Sequence, residues 1–295
     1  MSEALVAAVV TGILLGGLYA VIALGLNLIF GIIRVINFAH GSIMIILMYL
    51  GFFLWYLLGI DPYVGMLIVV PVAFGFGYGI QHVLIRPMFK REKSYVVEPL
   101  GVLLLMAGFD LVISNSALWA FQARVWYVYG SAFMGSVSLG FLHLTKQRLI
   151  VVLVAVLLTA GVYWLLNHTS LGNRIRAVGQ NREAAAICGI NVHHIYALTF
   201  GLGCAVTAVG GCAALPFMPI TPFAGMGLAL RAFVVVILGG LGSVRGALLA
   251  GIIIGVVETV GAHFTNSSIA AIIVFAIFLI IIVSRPKGLL GTIEV

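Results

Sequence analysis

Several ionisable and amide side chains stand inside stretches that are otherwise apolar, and these are the first places to look for chemistry. Asp110 is followed one turn later by Ser114 and Asn115, while Arg231 and Glu258 occupy two later apolar runs. Such groups are costly to bury in hydrocarbon, so each marks a solute pathway, a proton relay or a structural pair. We expect a structural partnership of Asp110 and Glu258 with Arg231 or Arg245; a relay would need acids and histidines facing each other at mid-depth. Glu98 follows a basic segment closely and reads as interfacial. In "GIIRVINFAHGS", residues 31–42, Arg34, Asn37 and His40 are three apart and would share one helix face. One reading is a turn with an interfacial arginine, from which Gly41 and Ser42 restart a helix. The other puts Asn37 and His40 near the inner mouth of a pathway.

Enzymatic signatures are absent. "GGLGSVRGALLAG", residues 239–251, has the glycines of a phosphate loop but not its GK[ST] ending, and no other segment supplies one. HExxH, GxSxG and a usefully spaced Cys–His pair are also missing. Cys188, Cys204 and Cys212 form no ligand spacing, so neither a metal site nor a disulfide is expected. No cofactor is expected on this chain.

The elements that position these residues follow from composition. Hydrophobic residues make up 63% of the chain and charged ones 8%, with a mean hydropathy of +1.25, whereas a soluble domain is about a quarter charged. The apolar runs are about 20 residues long without polar alternation, which predicts an all-α integral membrane protein, a single polytopic bundle over 1–295. Spans are expected near 4–32, 41–58, 63–85, 96–116, 148–167, 195–215, 228–244, 246–263 and 268–284. That is eight or nine crossings, with the first span or the seventh–eighth pair open to being broken or re-entrant. The opening "MSEALVAAVV" lacks a cationic segment and its apolar run continues to Ile33, so it is expected to remain as the first span.

The net charge of +7 gathers in short loops rather than on a continuous basic face, so it reads as a topology signal and not as a nucleic-acid surface. The clusters "RPMFKREK" (Arg86, Lys90, Arg91, Lys93), Arg174 with Arg176 and Arg182, and "SRPKG" (Arg285, Lys287) all fall on one side of a nine-span bundle. The positive-inside rule makes that side the cytoplasm, with the N-terminus outside and the C-terminus inside. Residues 117–147 then lie outside, where Trp119, Trp126, Tyr127 and Tyr129 suit a headgroup-level belt. "LPFMPITPFAGMG", residues 215–227, is also outside, and its prolines exclude a plain helix there. Gly12 and Gly16, Gly75 and Gly79, Gly242 and Gly246, and Gly251 and Gly255 are four apart, a spacing for close helix packing.

One polar stretch has no obvious place in lipid. In "RAVGQNREAAAICGINV", residues 176–192, Asn181 is a good N-cap, Glu183 suits a first turn and Gly189 a C′ position. A helix of about two turns over 182–188 is predicted, with small alanines able to enter a groove on another protein. A helix resting on headgroups is the competing reading, weakened by its low hydrophobicity.

"EAAAICG", residues 183–189, resembles the glutamate–alanine–alanine, spacer, glycine pattern with which ABC-importer permeases dock on their ATPase. Residues 17–42 ("GLYAVIALGLNLIFGIIRVINFAHGS"), 172–211 and 234–258 ("VVVILGGLGSVRGALLAGIIIGVVE") resemble LivH-type permeases of the high-affinity branched-chain amino acid system. The likeness covers nearly the whole chain. It departs where the older importer motif continues to isoleucine–x–leucine–proline, because no proline follows Gly189 until Pro216. The resemblance implies a non-catalytic permease in a bacterial inner membrane. Its partners would be a sister permease, two cytoplasmic ATPase subunits carrying ATP and magnesium, and a soluble periplasmic or external substrate-binding protein. It makes 170–194 the coupling segment, with Arg182, Glu183, Ala184, Ala185 and Gly189 carrying the motif. Family members for urea or short amides keep the substrate open. A secondary carrier or channel is a further alternative, and a purely structural subunit fits the polar residues within spans less well.

Overall fold

The computed structural model describes residues 2–33, 36–91, 97–129, 131, 133, 135–139, 142–285 and 287–291. In chain order these form α1 (Ser2–Ile33), α2 (His40–Leu58), α3 (Pro62–Ile80), α4 (Arg86–Arg91) and α5 (Val97–Phe121). A hairpin of β1 (Ser136–Leu139) and β2 (Leu142–Thr145) follows, then α6 (Lys146–His168), α7 (Ser170–Gln180) and α8 (Arg182–Ile187). The chain continues with α9 (Val192–Ala214), α10 (Ala224–Gly239), α11 (Val244–Phe264) and α12 (Ser267–Ser284). A wider π turn, Gln81–Ile85, joins α3 to α4.

Local chemistry sets many of these boundaries. Gly59 ends α2 in the left-handed region at φ 68°, and Asp61 starts α3 by accepting from the Tyr63 N–H at 2.9 Å, with Pro62 inside the first turn. Asn191 and Asn266 cap α9 and α12 in the same way. Among the described residues, eight helical runs are long and apolar enough to cross a membrane: α1, α2, the continuous Pro62–Phe89 run, α5, α6, α9, α11 and α12. The seventh expected span, 228–244, is instead the 16-residue α10. Its rise of about 24 Å is short of a hydrocarbon core of about 30 Å, and the non-helical segment 215–223 precedes it.

The bundle is built around α9, whose apolar window is 83% buried against 11% for α12. Small residues let α9 approach its neighbours: a Cβ added at Gly203 would lie 2.8 Å from the Gly25 carbonyl of α1, and one at Gly77 of α3 would lie 2.8 Å from Cys204 Cβ. The glycine seam between α1 and α11 is as tight. A Cβ at Gly16 would sit 2.6 Å from Ile252 Cα, and one at Gly251 2.7 Å from Ala20 Cβ. Gly12 and Gly255 close the same seam one turn away. The expected packing pair Gly75 and Gly79 meets nothing within 4 Å.

Gly242 packs on α1 from outside a helix: a Cβ added at Gly31 would lie 2.7 Å from the Gly242 Cα. It lies in the α10–α11 turn at φ 82°, where its N–H donates to Asn27 Oδ1 at 2.7 Å while Asn27 Nδ2 donates to the Ser243 carbonyl at 2.8 Å. Ser243 caps α11 by accepting from the Gly246 N–H, and Gly246 packs on Gly239. The glycine run over 239–246 is therefore a tight turn fastened to α1, with no phosphate-loop geometry.

Candidate functional site

Two helices of the bundle begin in its interior. After α1 ends at Ile33 the chain makes no helix over 36–39, and α2 restarts at His40. His40 is buried, and its Nε2 lies 3.0 Å from the Ile22 carbonyl oxygen. Ile22 is eleven residues before the end of α1, about 16 Å along the axis. Arg34 lies outside the described residues; Asn37 and His40 do not share a helix face, because Asn37 belongs to the turn. His40 therefore stands inside the bundle and not at its mouth. The second interior start is α10. An added Cβ at Gly225 would lie 2.9 Å from the Gly41 carbonyl carbon and 3.1 Å from the Ser42 nitrogen. The N-termini of α2 and α10 thus meet inside the bundle, reached from opposite ends by non-helical chain. Broken helices of this kind are tolerated at membrane depth only where protein or a polar cavity surrounds them.

Polar side chains gather around that junction. Ser42, in the first turn of α2, donates from Oγ to Asp110 Oδ1 of α5 and lies 2.8 Å from Ser114 Oγ. Asp110 therefore pairs with the Ser42 hydroxyl and not with the arginines expected for it. The Ser42 hydroxyl links the Asp110 carboxylate to the Ser114 hydroxyl one turn further along α5. Asn115 faces outward and returns its Nδ2 to the Leu111 carbonyl at 2.7 Å. Asn37 is 4% exposed, and neither its Nδ2 nor its Oδ1 has a hydrogen-bond partner among the described residues. Away from the junction, Gln81, fully buried at the start of the π turn, also holds its amide without a partner among the described residues. Buried unpaired amides are rare because each forfeits a hydrogen bond to water. Sequence reasoning passed over Gln81, although an amide closing an apolar run was the available signal.

A second cluster fastens α1, α10 and α11. Arg231 reaches Glu258 through NH2 at 2.9 Å and Nε at 3.2 Å, and Tyr19 donates to Glu258 Oε2 at 2.8 Å. This is the structural partnership expected for Glu258. Arg245 goes elsewhere, with its guanidinium 4.1 Å over the Tyr163 ring. The side chain of Glu98 lies outside the described residues.

At the end of the bundle where α1 and α10 finish, α7 and α8 form an elbow. Thr169 accepts from the Gly172 N–H and starts α7, whose Ile175 and Val178 are buried. Leu171, Ile175 and Val178 at helical spacing were the signal for this helix, which the sequence reading did not single out. Asn181 Oδ1 accepts from the Glu183 and Ala184 N–H groups at 3.0 and 2.9 Å. The Gly189 N–H donates to the Ala186 carbonyl and the Ile190 N–H to the Ala185 carbonyl, each at 3.0 Å, with Gly189 at φ 81°. These bonds make a Schellman close. Arg182 is half-buried, and Glu183, Ala184 and Gly189 are exposed, but Ala185 is only 4% exposed and faces the bundle. Ile187 is 87% exposed, an apolar side chain presented outward that the sequence reading did not single out.

A family model described as the branched-chain amino acid transport system permease component matches residues 8–283. The chain belongs to this family. Full-length relatives agree: the high-affinity branched-chain amino acid transport system permease protein BraD of Pseudomonas aeruginosa is 28% identical, over 97% of this chain and 95% of its own length. LivH of Salmonella typhimurium is 29% identical, covering 96% and 94%, and LivH of Escherichia coli K12 is 28% identical with the same coverages. No solved structure matches the chain. In this permease the junction of α2 with α10 and the exposed α8 are the two features that the geometry sets apart.

Proposed function

We propose that this permease is half of the translocation path of an ABC importer for branched-chain or related small amino acids, in a bacterial inner membrane. The observation that carries the proposal is the family match across residues 8–283, on a chain that presents an isolated, doubly capped helix at one end of its bundle. The other half of the path is a sister permease. Two ATPase subunits, which hold the ATP and magnesium, dock on α8 in the cytoplasm, and a soluble external binding protein delivers the substrate. The basic residues Arg86, Arg174, Arg176, Arg182, Arg285 and Lys287 support placing the α8 end in the cytoplasm.

Transport is then a shift between two packings of the bundle, driven by an ATPase dimer that grips them with different affinity. Glu183, Ala184 and Ile187 form the gripped surface, while buried Ala185 seats α8 on the bundle. Asn37, Asp110 and the two interior helix starts form the polar centre past which an amino acid moves. The half-helix N-termini supply positive ends for its carboxylate.

The test is reconstitution of the permease with its sister, ATPase and binding-protein subunits in liposomes. Glu183→Lys and Ile187→Asp are expected to abolish substrate-stimulated ATP hydrolysis and leucine uptake while the complex keeps its melting temperature. Unchanged stimulation would remove α8 as the coupling element. Uptake by the permease alone would favour the carrier reading, and uptake of urea but not leucine would replace the substrate.

A further inference from the structure

A cleft of about 1050 Å³ opens beside the α7–α8 elbow. Its walls are the end of α1, the end of α6, one face of α7, the α10–α11 turn and the C-terminal segment that carries Lys287. The lining residues include three cations, Arg176, Arg245 and Lys287, and no Asp or Glu. None of the three has a carboxylate partner among the described residues.

The cations are positioned without being neutralised. Arg176 donates from NH1 to Asn167 Oδ1 at 2.6 Å and from NH2 to Asn173 Oδ1 at 2.8 Å, so two neutral amides fix its fork and leave its charge intact. The Arg245 guanidinium carbon lies over the Tyr163 ring, 4.1 Å from its centroid, a contact that positions the cation without neutralising it. The turn that carries Arg245 is itself clamped to α1 by the two Asn27 hydrogen bonds. Amides line part of the rest, Asn27, Asn167 and Gln180, and an apolar side is made by residues that include Leu28, Phe30, Leu166 and Leu290. Leu28 and Leu166 belong to the last turns of membrane-length helices, which places the cleft where hydrocarbon gives way to headgroups.

From this geometry we infer that the cleft is a binding site for an anionic phospholipid, its phosphate held by Arg176, Arg245 and Lys287 and its acyl chain laid along the apolar wall. Guanidinium forks match phosphate oxygens two at a time, and basic pockets between spanning helices at the headgroup level suit such lipids. A soluble phosphate compound would use the cations but not the wall. An acidic surface of a protein partner would use neither the depth of the cleft nor its apolar side. The inference concerns a lipid and stands apart from the choice of transported substrate.

The test is native mass spectrometry of the full-length chain, released from detergent after equilibration with phosphatidylglycerol or with phosphatidylcholine of the same acyl chains. Phosphatidylglycerol is expected to stay bound preferentially. Arg245→Gln should weaken its retention about fivefold, and Arg176→Gln with Lys287→Gln about 25-fold, from the contribution of one cation near a lipid surface. Arg285→Gln, a change outside the lining, is expected to retain the wild-type preference. Arg245→Lys keeps the charge but not the planar fork, so its loss should be smaller than that of Arg245→Gln, which separates lost charge from a damaged fold. Equal retention of the two lipids, wild-type retention by the Arg176→Gln with Lys287→Gln change, or as large a loss with Arg245→Lys as with Arg245→Gln would overturn the proposal. So would displacement of the lipid by millimolar inorganic phosphate. If phenylglyoxal labelling of Arg176 and Arg245 is blocked by assembled ATPase subunits and not by phosphatidylglycerol, the cleft belongs to the protein partner and the lipid assignment fails.

Discussion

The elbow helix α8 should be held by its two ends more than by its length. Six residues cannot sustain a helix in water, because nucleation costs more than so few hydrogen bonds return. Asn181 supplies two of the bonds that fix it, to the Glu183 and Ala184 N–H groups. Replacing Asn181 with Ala removes both and should cost about 1 kcal/mol. At the other end Gly189 sits at φ 81°, where a Cβ costs roughly 1–2 kcal/mol, so Gly189→Ala loosens the Schellman close by a similar amount. The two ends are separated by the helix itself and their costs should add to about 2–3 kcal/mol, a factor of roughly 30–150 in the local opening equilibrium at 1.4 kcal/mol per tenfold. Hydrogen exchange of the Ala185 and Cys188 amides, which donate to the Asn181 and Ala184 carbonyls at 3.0 Å, reads that equilibrium directly. In the assembled importer the same double change should lower substrate-stimulated ATP hydrolysis, and Gly189→Asn should be milder because Asn tolerates the left-handed region. Unchanged exchange would show that the caps do not hold α8. Accelerated exchange with full stimulation would show that a rigid α8 is not what transmits the ATPase motion.

Glu258→Ala should strand the Arg231 guanidinium and the Tyr19 hydroxyl; with the Arg231 side chain 33% exposed, the loss is about 1–3 kcal/mol. Thermal melting in nanodiscs should show it, and the paired change Arg231→Met with Glu258→Leu should recover most of it. Gly16→Leu should prevent stable assembly of the bundle, since the first added carbon already meets Ile252 Cα at 2.6 Å, whereas Gly75→Leu should leave the melting temperature within a few degrees because nothing lies within 4 Å. Cys188 is exposed and Cys204 and Cys212 are buried, so maleimide should label one thiol per folded chain, and docked ATPase subunits should slow that labelling. Equal labelling of free and assembled permease would argue against α8 as the docked surface.

The bundle, and most of its span edges, were legible in the sequence because lipid leaves the chain so few options. Long apolar runs without polar alternation can only be helices, and Asn181 and Gly189 announce the ends of α8 through backbone demands that need no tertiary knowledge. The interior junction was not legible for the opposite reason. The spacing of Arg34, Asn37 and His40 fits a helix face, and only the contact of His40 with the Ile22 carbonyl reveals that the chain turns back into the bundle before α2 starts. Likewise Asp110 and Arg231 look like partners by charge, yet Asp110 meets Ser42 and Arg231 meets Glu258. Which opposite charges meet depends on helix order and depth, and periodicity carries neither. Glycine spacing shows the same limit. Four-residue repeats mark the α1–α11 seam correctly, but Gly75 and Gly79 face open space and Gly242 turns a corner.

The tight seams also determine how a load on α8 travels. Ala185 packs in one apolar cluster with Val178 of α7 and with Ile195 and Tyr196 in the first turns of α9, so the elbow cannot move without moving the base of α9. That helix is locked in turn to α1 at Gly25 and Gly203 and to α3 at Gly77 and Cys204, where backbones lie too close for one helix to slide past the other without a collision. Close-packed seams of this kind transmit displacement instead of absorbing it. The α10–α11 turn follows, because Asn27 of α1 holds it. The hinge must therefore lie where the chain is not helical, at 36–39 before α2 and at 215–223 before α10. Both segments lead into the junction where Gly41 meets Gly225, beside the carboxylate of Asp110 and the unpartnered amide of Asn37. On the proposed coupling role of α8, a push there would tilt the frame formed by α1, α3, α9 and α11, and the parting would fall between the two half-helices that start inside the bundle.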